Sequence, residues 1–317
     1  MRRVGSRSLL MAATEGIAVL HSWKVRNILT GTLTFIPPLN AWRARHSTSG
    51  GTLSLSYCYS VWRRHLQLLL EAGFRPEGAC IAELGPGDTI GVGLAALLSG
   101  VRQYSGLDLV PFAHGFDPVP FFDELCRIAE EEGKRGEATR SDAQPVRILS
   151  RDDIVRIRTE LERGMKAGSV LNYCAPWHRA SIPAGSLDLV LSQSVLQYSD
   201  CMPDVYQSMF HWLRPGGYAS HRIDCSAGYL SPHWNGHWAY SDFEWRLTRG
   251  RREFLMNREP IGVHLKTAEA AGFQVVILKR DVGEGGLPPS ALCPKFQNLD
   301  AVDSTTRGAN LVLRRPA

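Results

Sequence analysis

The sequence lacks several features that would assign it to a well-marked class of protein. Its seven cysteines include no C-x-x-C pair, and their odd number argues against a disulfide framework. No apolar run approaches the roughly 20 residues of a membrane-spanning helix. The nearest, "NILTGTLTFIPPL" (27–39), is broken by Pro37 and Pro38 and gives little support to a peripheral membrane contact. We therefore expect a cytoplasmic protein with reduced cysteines and no transmembrane segment.

An excess of charge of one sign is also missing. Charged residues make up 21% of the 317 residues, and Lys and Arg exceed Asp and Glu by only five. Because the basic residues are scattered rather than massed in one run, we expect no nucleic-acid partner. The 44% of hydrophobic residues is typical of a globular chain long enough for an α/β domain with additions.

Apolar strand patterns alternate with helical patterns from residue 57 onward. The strands are expected at 79–84, 101–110, 169–175, 186–194, 218–224, 274–281 and 309–315, after a first helix over 57–72. This alternation predicts a mostly parallel sheet with helices on both faces. The seventh strand can insert antiparallel beside the sixth. Residues 1–56 form an N-terminal extension to a domain over 57–317, which has a helical insertion at about 111–168.

The stretch "IAELGPGDTIGVGLAALLSG" (81–100) joins the first strand to a helix through a Gly-x-Gly turn. In an open α/β sheet, the carboxyl end of the first strand is where a nucleotide-like cofactor binds. The absence of G-K-[ST] excludes a P-loop. The turn alone leaves open a dinucleotide and a positively charged cofactor.

Three residues of this turn disfavour an anionic cofactor. Glu83 places a carboxylate at the strand end, Pro86 has no N–H to donate, and Asp88 can occupy the helix N-terminus. Two like charges 4 Å apart repel by about 4 kcal/mol at an effective dielectric near 20. A pyrophosphate would meet that repulsion, whereas the ammonium and sulfonium of S-adenosylmethionine would be attracted.

A second acid stands at the end of the second predicted strand. Asp108 is placed where a carboxylate can accept both hydroxyls of a ribose. The alternative is that Asp108 only caps the turn that follows.

Four motifs, "ELGPGD", "GLDLV", "GSLDLVLSQSVLQYSD" and "LRPGGY", together resemble the successive motifs of class I S-adenosylmethionine-dependent methyltransferases. The resemblance covers about residues 57–315. It implies a Rossmann-like, seven-stranded sheet in the order 3-2-1-4-5-7-6. More narrowly, "GGTLSLSYCYSVWRRHL", "SHRID" and "FLMNREP" are similar to bacterial methyltransferase type 11-like proteins associated with surface glycans.

The resemblance implies a cofactor site at the ends of the first four strands. Its residues are Glu83, Gly85, Pro86, Gly87, Asp88, Asp108, Leu109, Cys174, Ala175, Ser192 and Gln193. Glu83 would lie near the methionine ammonium, Asp108 would bind the ribose, and Cys174 or Ala175 would flank the adenine. The chain departs from the family at "YCAPW", which lacks an acid for the adenine amine. It departs again at Gln197–Tyr198, where many relatives have Glu-His.

A general base must therefore come from elsewhere, and His221 and Asp224 after the fifth strand are the candidates. The alternative is that His221 is a structural histidine. Residues 225–260 are predicted to form an acceptor-binding or lid segment. Within it, the aromatic stretch "YLSPHWNGHWAYSDFEW" (229–245) either forms a wall of the acceptor site or packs in the hydrophobic core. The candidate acceptor-binding residues are His178, Tyr198, His233, Trp234 and His237. No metal is expected, because Pro232 and Gly236 disfavour the helix that would align His233 with His237.

Three functions follow from these patterns. The first is transfer of a methyl group to an oxygen or nitrogen of a small or glycan-linked acceptor. The second is a protein that binds the cofactor without catalysis and works through a partner. The third, an NAD(P) oxidoreductase, is opposed by Glu83 and Pro86. The oligomeric state is left open.

Overall fold

The computed structural model describes residues 22–39, 52–139, 149–165, 168–252 and 254–317. Within these residues, seven strands form one sheet in the order β3-β2-β1-β4-β5-β7-β6. The strands are β1 (Cys80–Leu84), β2 (Gln103–Leu107), β3 (Leu171–Cys174), β4 (Leu187–Gln193), β5 (Leu213–Asp224), β6 (Gln274–Val282) and β7 (Thr306–Arg314). The predicted fold class and strand order are confirmed.

The sheet is parallel through its first five strands. β1 pairs in parallel with β2 and β4, β2 with β3, and β4 with β5. β7 runs antiparallel to β5, because Arg315 N–H donates to Gly217 O and Cys225 N–H donates to Arg307 O, both at 2.8 Å. The seventh strand therefore inserts antiparallel between β5 and β6.

Helices accompany the strands in the predicted order. They are α1 (22–33), α2 (Leu55–Glu71), α3 (Gly91–Leu98), α4 (Pro118–Thr139), α5 (Arg151–Glu162), α6 (Met202–Trp212), α7 (Asp242–Arg249), α8 (Ile261–Ala270) and α9 (Pro294–Gln297). α2 begins two residues earlier than predicted because the Ser54 side chain accepts the Tyr57 N–H and caps it. α4 and α5 are the predicted insertion; its residues 140–148, like residues 1–21 and 40–51 of the extension, lie outside the described residues.

The small residues of "GVGLAALL" explain how α3 is buried along its whole length. A Cβ on Gly93 would lie 2.5 Å from the ring of Tyr104, and one on Gly91 would lie 2.6 Å from Phe121. Glycine at these two positions lets the helix approach β2 and α4 closely. The turn that leads into α3 is therefore fixed against the core.

The fifth strand was expected over 218–224, after the "RPGG" residues 214–217, but β5 already begins at Leu213. The pairing of β4 with β5 shifts register between Leu187 and Leu189. Gly216 has φ +79°, which allows the extra residues to bulge out without ending the strand. The predicted start of this strand was therefore wrong, because the bulge keeps residues 213–217 in the strand.

Contacts within the chain divide it into two compact units. The sheet unit comprises Thr48–Ile223, Gly262–Arg280 and Ala309–Ala317. The aromatic unit comprises Met1–Ser47, Asp224–Ile261 and Asp281–Gly308. All seven cysteines are free. In the described part of the chain, no helix is both long and apolar enough to cross a membrane.

Candidate functional site

The Gly-x-Gly turn after β1 has a backbone that only glycine adopts readily. Gly85 and Gly87 have φ angles of +66° and +78°, in the left-handed region. A Cβ on Gly85 would lie 2.6 Å from Val195 Cγ2. The N–H of Gly85 donates to Leu107 O at 2.8 Å, so the turn is held to the end of β2. The predicted glycines thus shape the turn at the carboxyl edge of the sheet.

Asp108 lies where the ends of three strands meet, and it is 7% exposed. Its carboxylate accepts the N–H groups of Gly87 at 3.3 Å and Leu109 at 2.9 Å. Its own N–H donates to Cys174 O at 3.0 Å. Burial raises the pKa of Asp108, and these backbone N–H groups partly offset that effect. The structure therefore brings together the predicted residues Gly87, Asp108 and Cys174.

Glu83 is 2% exposed, and its carboxylate accepts a hydrogen bond from Tyr104 Oη at 2.5 Å. Burial raises the pKa of Glu83 to about 8, although the Tyr104 hydrogen bond acts in the opposite direction and the negative charge of Asp108 adds to the rise. Tyr104 was not among the predicted site residues. Nothing local in the sequence pointed to it, because its position depends on the β1–β2 register and on the space left by Gly93.

The expectation that Asp88 occupies the helix N-terminus was wrong. α3 begins at Gly91, and the hydroxyl of Thr89 accepts the Gly91 N–H at 3.2 Å. Thr89 is fixed in turn by Thr52, whose Oγ1 accepts the Thr89 N–H at 3.0 Å and whose carbonyl accepts the Thr89 hydroxyl at 2.7 Å. These contacts delay the helix by two residues. Asp88 stays in the turn, where its charge raises the pKa of Asp108.

The segment after β3 folds back beside Asp108. The N–H of Trp177 donates to Asp108 O at 3.0 Å, and the Trp177 ring packs edge-on against Trp212 at 5.4 Å. The predicted residues Cys174 and Ala175 are half-buried beside this contact. Trp177 therefore places an aromatic side chain, which was not among the predicted site residues, on the side of the turn predicted to hold the adenine.

Gln193 ends β4, and its side chain lies close to both Tyr57 and His65 of α2. The charge of Glu83 contributes to a raised pKa of Tyr57, after the larger effect of burial. Tyr57, Glu83 and Gln193 therefore lie near one another, at the side predicted to hold the methionine portion. His65 also shares a 2.8 Å hydrogen bond with Ser220. It lies within the motif "GGTLSLSYCYSVWRRHL" but was missed, because only the packing of α2 on the sheet brings it beside Gln193 and Ser220.

His221 lies on β5 directly beside Ser192 of β4, and the two share a hydrogen bond of 2.8 Å through His221 Nδ1. The ring is 1% exposed, and Nε2 has no hydrogen-bond partner among the described residues. Burial lowers the pKa of His221 to about 3, assisted by the positive charges that His65 and His264 would carry. The imidazole is therefore neutral at pH 7.

The other candidate base, Asp224, is half-buried, and its carboxylate accepts the Ser226 N–H at 2.9 Å. This contact is the pattern of a turn-forming aspartate. Asp224 thus has a structural partner as well as its predicted place at the end of β5.

The candidate acceptor residues are divided between the two units. In the sheet unit, His178 is exposed and shares a 2.7 Å hydrogen bond with Ser181, while Tyr198 is 40% exposed. In the aromatic unit, His233 bonds to Gly285 O at 3.2 Å, Trp234 packs on Trp238 and His237 is buried. The buried aromatic residues of this segment are Trp238, Tyr240 and Trp245, as the core interpretation expects. Among the described residues, no group of three or more His, Cys, Asp or Glu could hold a metal ion.

Affinity for S-adenosylhomocysteine, which retains the ammonium group, is expected to rise between pH 6 and pH 8. If the ionised form of Glu83 binds that ammonium, binding below pH 8 must release the proton that Glu83 carries in the free protein. Linkage then predicts an increase approaching tenfold per pH unit, which levels off near pH 8. Titration calorimetry across this range measures it. In E83Q the dependence should vanish, while E77Q, at an exposed position, should behave like the parent. An equal pH slope in E83Q would show that Glu83 is not the group that titrates.

No protein-family model and no curated protein sequence matches the chain. Solved structures that resemble it include S-adenosylmethionine-dependent methyltransferases. One from Mesorhizobium loti is 14% identical, with 78% of this chain and 96% of that chain covered and a TM-score of 0.41. One from Methanosarcina mazei is 12% identical, with 78% and 97% covered and a TM-score of 0.43.

A third similar structure is phosphoethanolamine N-methyltransferase 2 of Haemonchus contortus in complex with S-adenosyl-L-methionine. It is 13% identical, with 81% of this chain and 53% of that chain covered and a TM-score of 0.42. Likenesses this distant carry no argument about activity or acceptor. The functional proposal therefore depends on the residues of this chain.

Proposed function

We propose that the protein is an S-adenosylmethionine-dependent methyltransferase that acts on an oxygen or nitrogen of a small or glycan-linked acceptor. The observation that carries this proposal is the set of acids around the glycine turn, Glu83, Asp88 and Asp108. The seven free cysteines support the expectation of a reducing compartment such as the cytoplasm.

The charges of these acids favour a cationic cofactor over a pyrophosphate. Burial raises the pKa of Glu83 and of Asp108, the charge of Asp108 adds to the rise for Glu83, and Asp88 adds to the rise for Asp108. Negative charge is therefore unfavourable at these groups, and Glu83 carries a proton at pH 7 in the free protein. An anion within 4 Å of an ionised carboxylate would be repelled by about 4 kcal/mol at an effective dielectric near 20, and it would disfavour ionisation of Glu83 further. An ammonium or sulfonium would relieve the repulsion instead. This difference supports S-adenosylmethionine over a dinucleotide.

Each part of the cofactor has a residue of suitable chemistry. Asp108 offers a carboxylate already oriented by two N–H groups, which suits the paired hydroxyls of a ribose. Glu83 and Gln193 offer an acid and an amide for the amino-acid portion. When bound, S-adenosylmethionine supplies a methyl group activated by a positively charged sulfur. The chain then has to position an acceptor and accept its proton.

His221 is the proposed proton acceptor. Its imidazole is neutral at pH 7, and Ser192 fixes the ring through Nδ1, leaving Nε2 without a partner among the described residues. The 1% exposure of the ring favours the non-catalytic candidate, a cofactor-binding partner protein, because so buried an imidazole accepts a proton reluctantly. Turnover distinguishes the two candidates.

The proposal is tested by single-turnover transfer from methyl-labelled S-adenosylmethionine to a panel of sugars, nucleotide sugars and small amines. We expect labelled product, and in H221Q a rate reduced by about 100-fold or more, the usual contribution of a general base. Affinity for S-adenosylhomocysteine should change little. H114Q, at an exposed position, is the matched control. An unchanged rate in H221Q would remove His221 from the reaction. Tight cofactor binding without labelled product from any acceptor would favour the partner protein.

A further inference from the structure

Within the aromatic unit, helix α1 is anchored along one face to residues 230–248. Asn27 Nδ2 donates to Leu230 O at 2.6 Å and to Tyr240 Oη at 2.9 Å. A Cβ on Gly31 would lie 2.2 Å from Leu247 O, so the helix backbone lies directly against its neighbour. These contacts fix the rotation of α1 about its axis, and therefore which side chains it leaves exposed.

The opposite face of α1 and the residues that follow it expose large apolar side chains. They are Val25, Leu29, Leu33, Phe35, Ile36 and Leu39, each between 44% and 59% exposed. The spacing of the first three, four residues apart, places them in one line along the helix. These six, out of 18 exposed large hydrophobic residues in the described chain, fall within 15 consecutive positions. We call this set the apolar stripe. Such a patch marks an interaction surface.

The positive charge of the chain is concentrated at the same end of the sequence. Residues 1–70 contain nine Lys and Arg but a single acid, Glu15, whereas the remaining residues contain 27 Lys and Arg and 30 acids. The basic residues form no single run, but the balance of positive and negative charge differs strongly between residues 1–70 and the rest of the chain. Arg26 is exposed between Val25 and Leu29, and the Arg251 guanidinium lies 6.0 Å from the centre of the Phe35 ring. Exposed cations thus accompany the apolar stripe.

We propose that α1 and residues 34–39 form an interfacial segment that binds the surface of an anionic lipid bilayer. A helix that lies in the plane of a membrane surface needs apolar side chains on one face and basic residues beside them. The apolar side chains enter the boundary of the acyl chains, and the basic residues pair with lipid phosphates. A nucleic acid would use the cations but not six exposed apolar side chains. A second copy of this chain would offer cations to the apolar stripe, whereas an anionic bilayer supplies charge opposite to that of Arg26 and Arg251.

The experiment is co-sedimentation of the full chain with vesicles of phosphatidylcholine alone or mixed equally with phosphatidylglycerol. We expect binding to the anionic vesicles, weak binding to the neutral ones, and release by salt. R26E should weaken binding roughly tenfold. The double variant L29E/L33E should abolish it. V155E, which places the same charge at an exposed apolar position of α5, is the matched control and should bind like the parent.

Circular dichroism and thermal unfolding establish whether each variant is folded. If L29E/L33E does not fold, the comparison of R26E with the parent tests the proposal. Binding to neither vesicle would overturn the proposal, as would an equal loss in V155E. Equal binding to both vesicles would overturn the requirement for anionic lipid. A dimer that L29E/L33E dissociates, without vesicle binding, would assign the apolar stripe to a second copy. Salt-sensitive binding of RNA or DNA without vesicle binding would assign it to nucleic acid.

Discussion

Replacing Asp108 by alanine is expected to weaken binding of S-adenosylhomocysteine by about 100-fold or more. The carboxylate is the one predicted to accept both ribose hydroxyls, and each hydrogen bond to a charged group contributes about 1.5–3 kcal/mol. Its two backbone contacts, with Gly87 and Leu109, show that it is oriented before any ligand arrives. Isothermal calorimetry measures the loss directly.

Two further variants separate the ribose contact from damage to the turn. D108N keeps one acceptor oxygen for the Gly87 N–H but loses the charge, so an intermediate loss of about tenfold is expected. D117A removes an exposed carboxylate that also accepts a backbone N–H, from Val119, and should leave affinity unchanged. Affinity in D108A equal to that of the parent, in a protein of normal thermal stability, would show that Asp108 only caps its turn.

The free energy of unfolding is expected to fall as the pH drops from 7 to 5, because several histidines are buried as neutral rings. Burial lowers the pKa of His65 and His264 to about 4 and of His221 and His237 to about 3. With folded-state pKa values below the unfolded value near 6.5, the stabilisation is complete above pH 6.5 and is lost toward pH 4. Each histidine then contributes a loss of about 2 kcal/mol at pH 5. The raised pKa of Glu83 acts in the opposite direction over this range.

H264F isolates one of these histidines. His264 is fully buried and contacts Tyr206, so phenylalanine preserves most of its packing. Chemical denaturation measures how much the free energy of unfolding falls between pH 7 and pH 5. This fall should be about 2 kcal/mol smaller in H264F than in the parent. H114F, at an exposed position, should leave that difference unchanged. An identical pH dependence in all three proteins would mean that His264 is not held neutral by the fold.

Local patterns in the sequence predicted the strands and the glycine turn, whereas the strand order was predicted by the resemblance of the motifs to a known family. β1, for example, is a short buried strand that is apolar except for Glu83, and the turn after it contains two glycines whose positive φ angles the turn requires. Features that depend on distant contacts were not predicted. The start of α3 is delayed by Thr52, 37 positions before Thr89. The partner of Glu83 is Tyr104, which only the β1–β2 register and the missing side chain of Gly93 bring into reach.

The same limit applies to the candidate base and the aromatic segment. The sequence placed His221 at the end of β5, but only the β4–β5 register shows that Ser192 orients the ring and that the ring is buried. Aromatic content could not decide between a ligand wall and a core. That distinction depends on which rings are covered, and Trp238 and Tyr240 are fully buried while Tyr229 is 75% exposed.

The cofactor assignment is tested most directly by calorimetric titration of the purified chain with S-adenosylhomocysteine and, separately, with NADH. The acids around the Gly85–Gly87 turn predict micromolar binding of S-adenosylhomocysteine, on the order of −8 kcal/mol, and no measurable binding of NADH. Binding of NADH in preference to S-adenosylhomocysteine would contradict the electrostatic argument made from Glu83, Asp88 and Asp108.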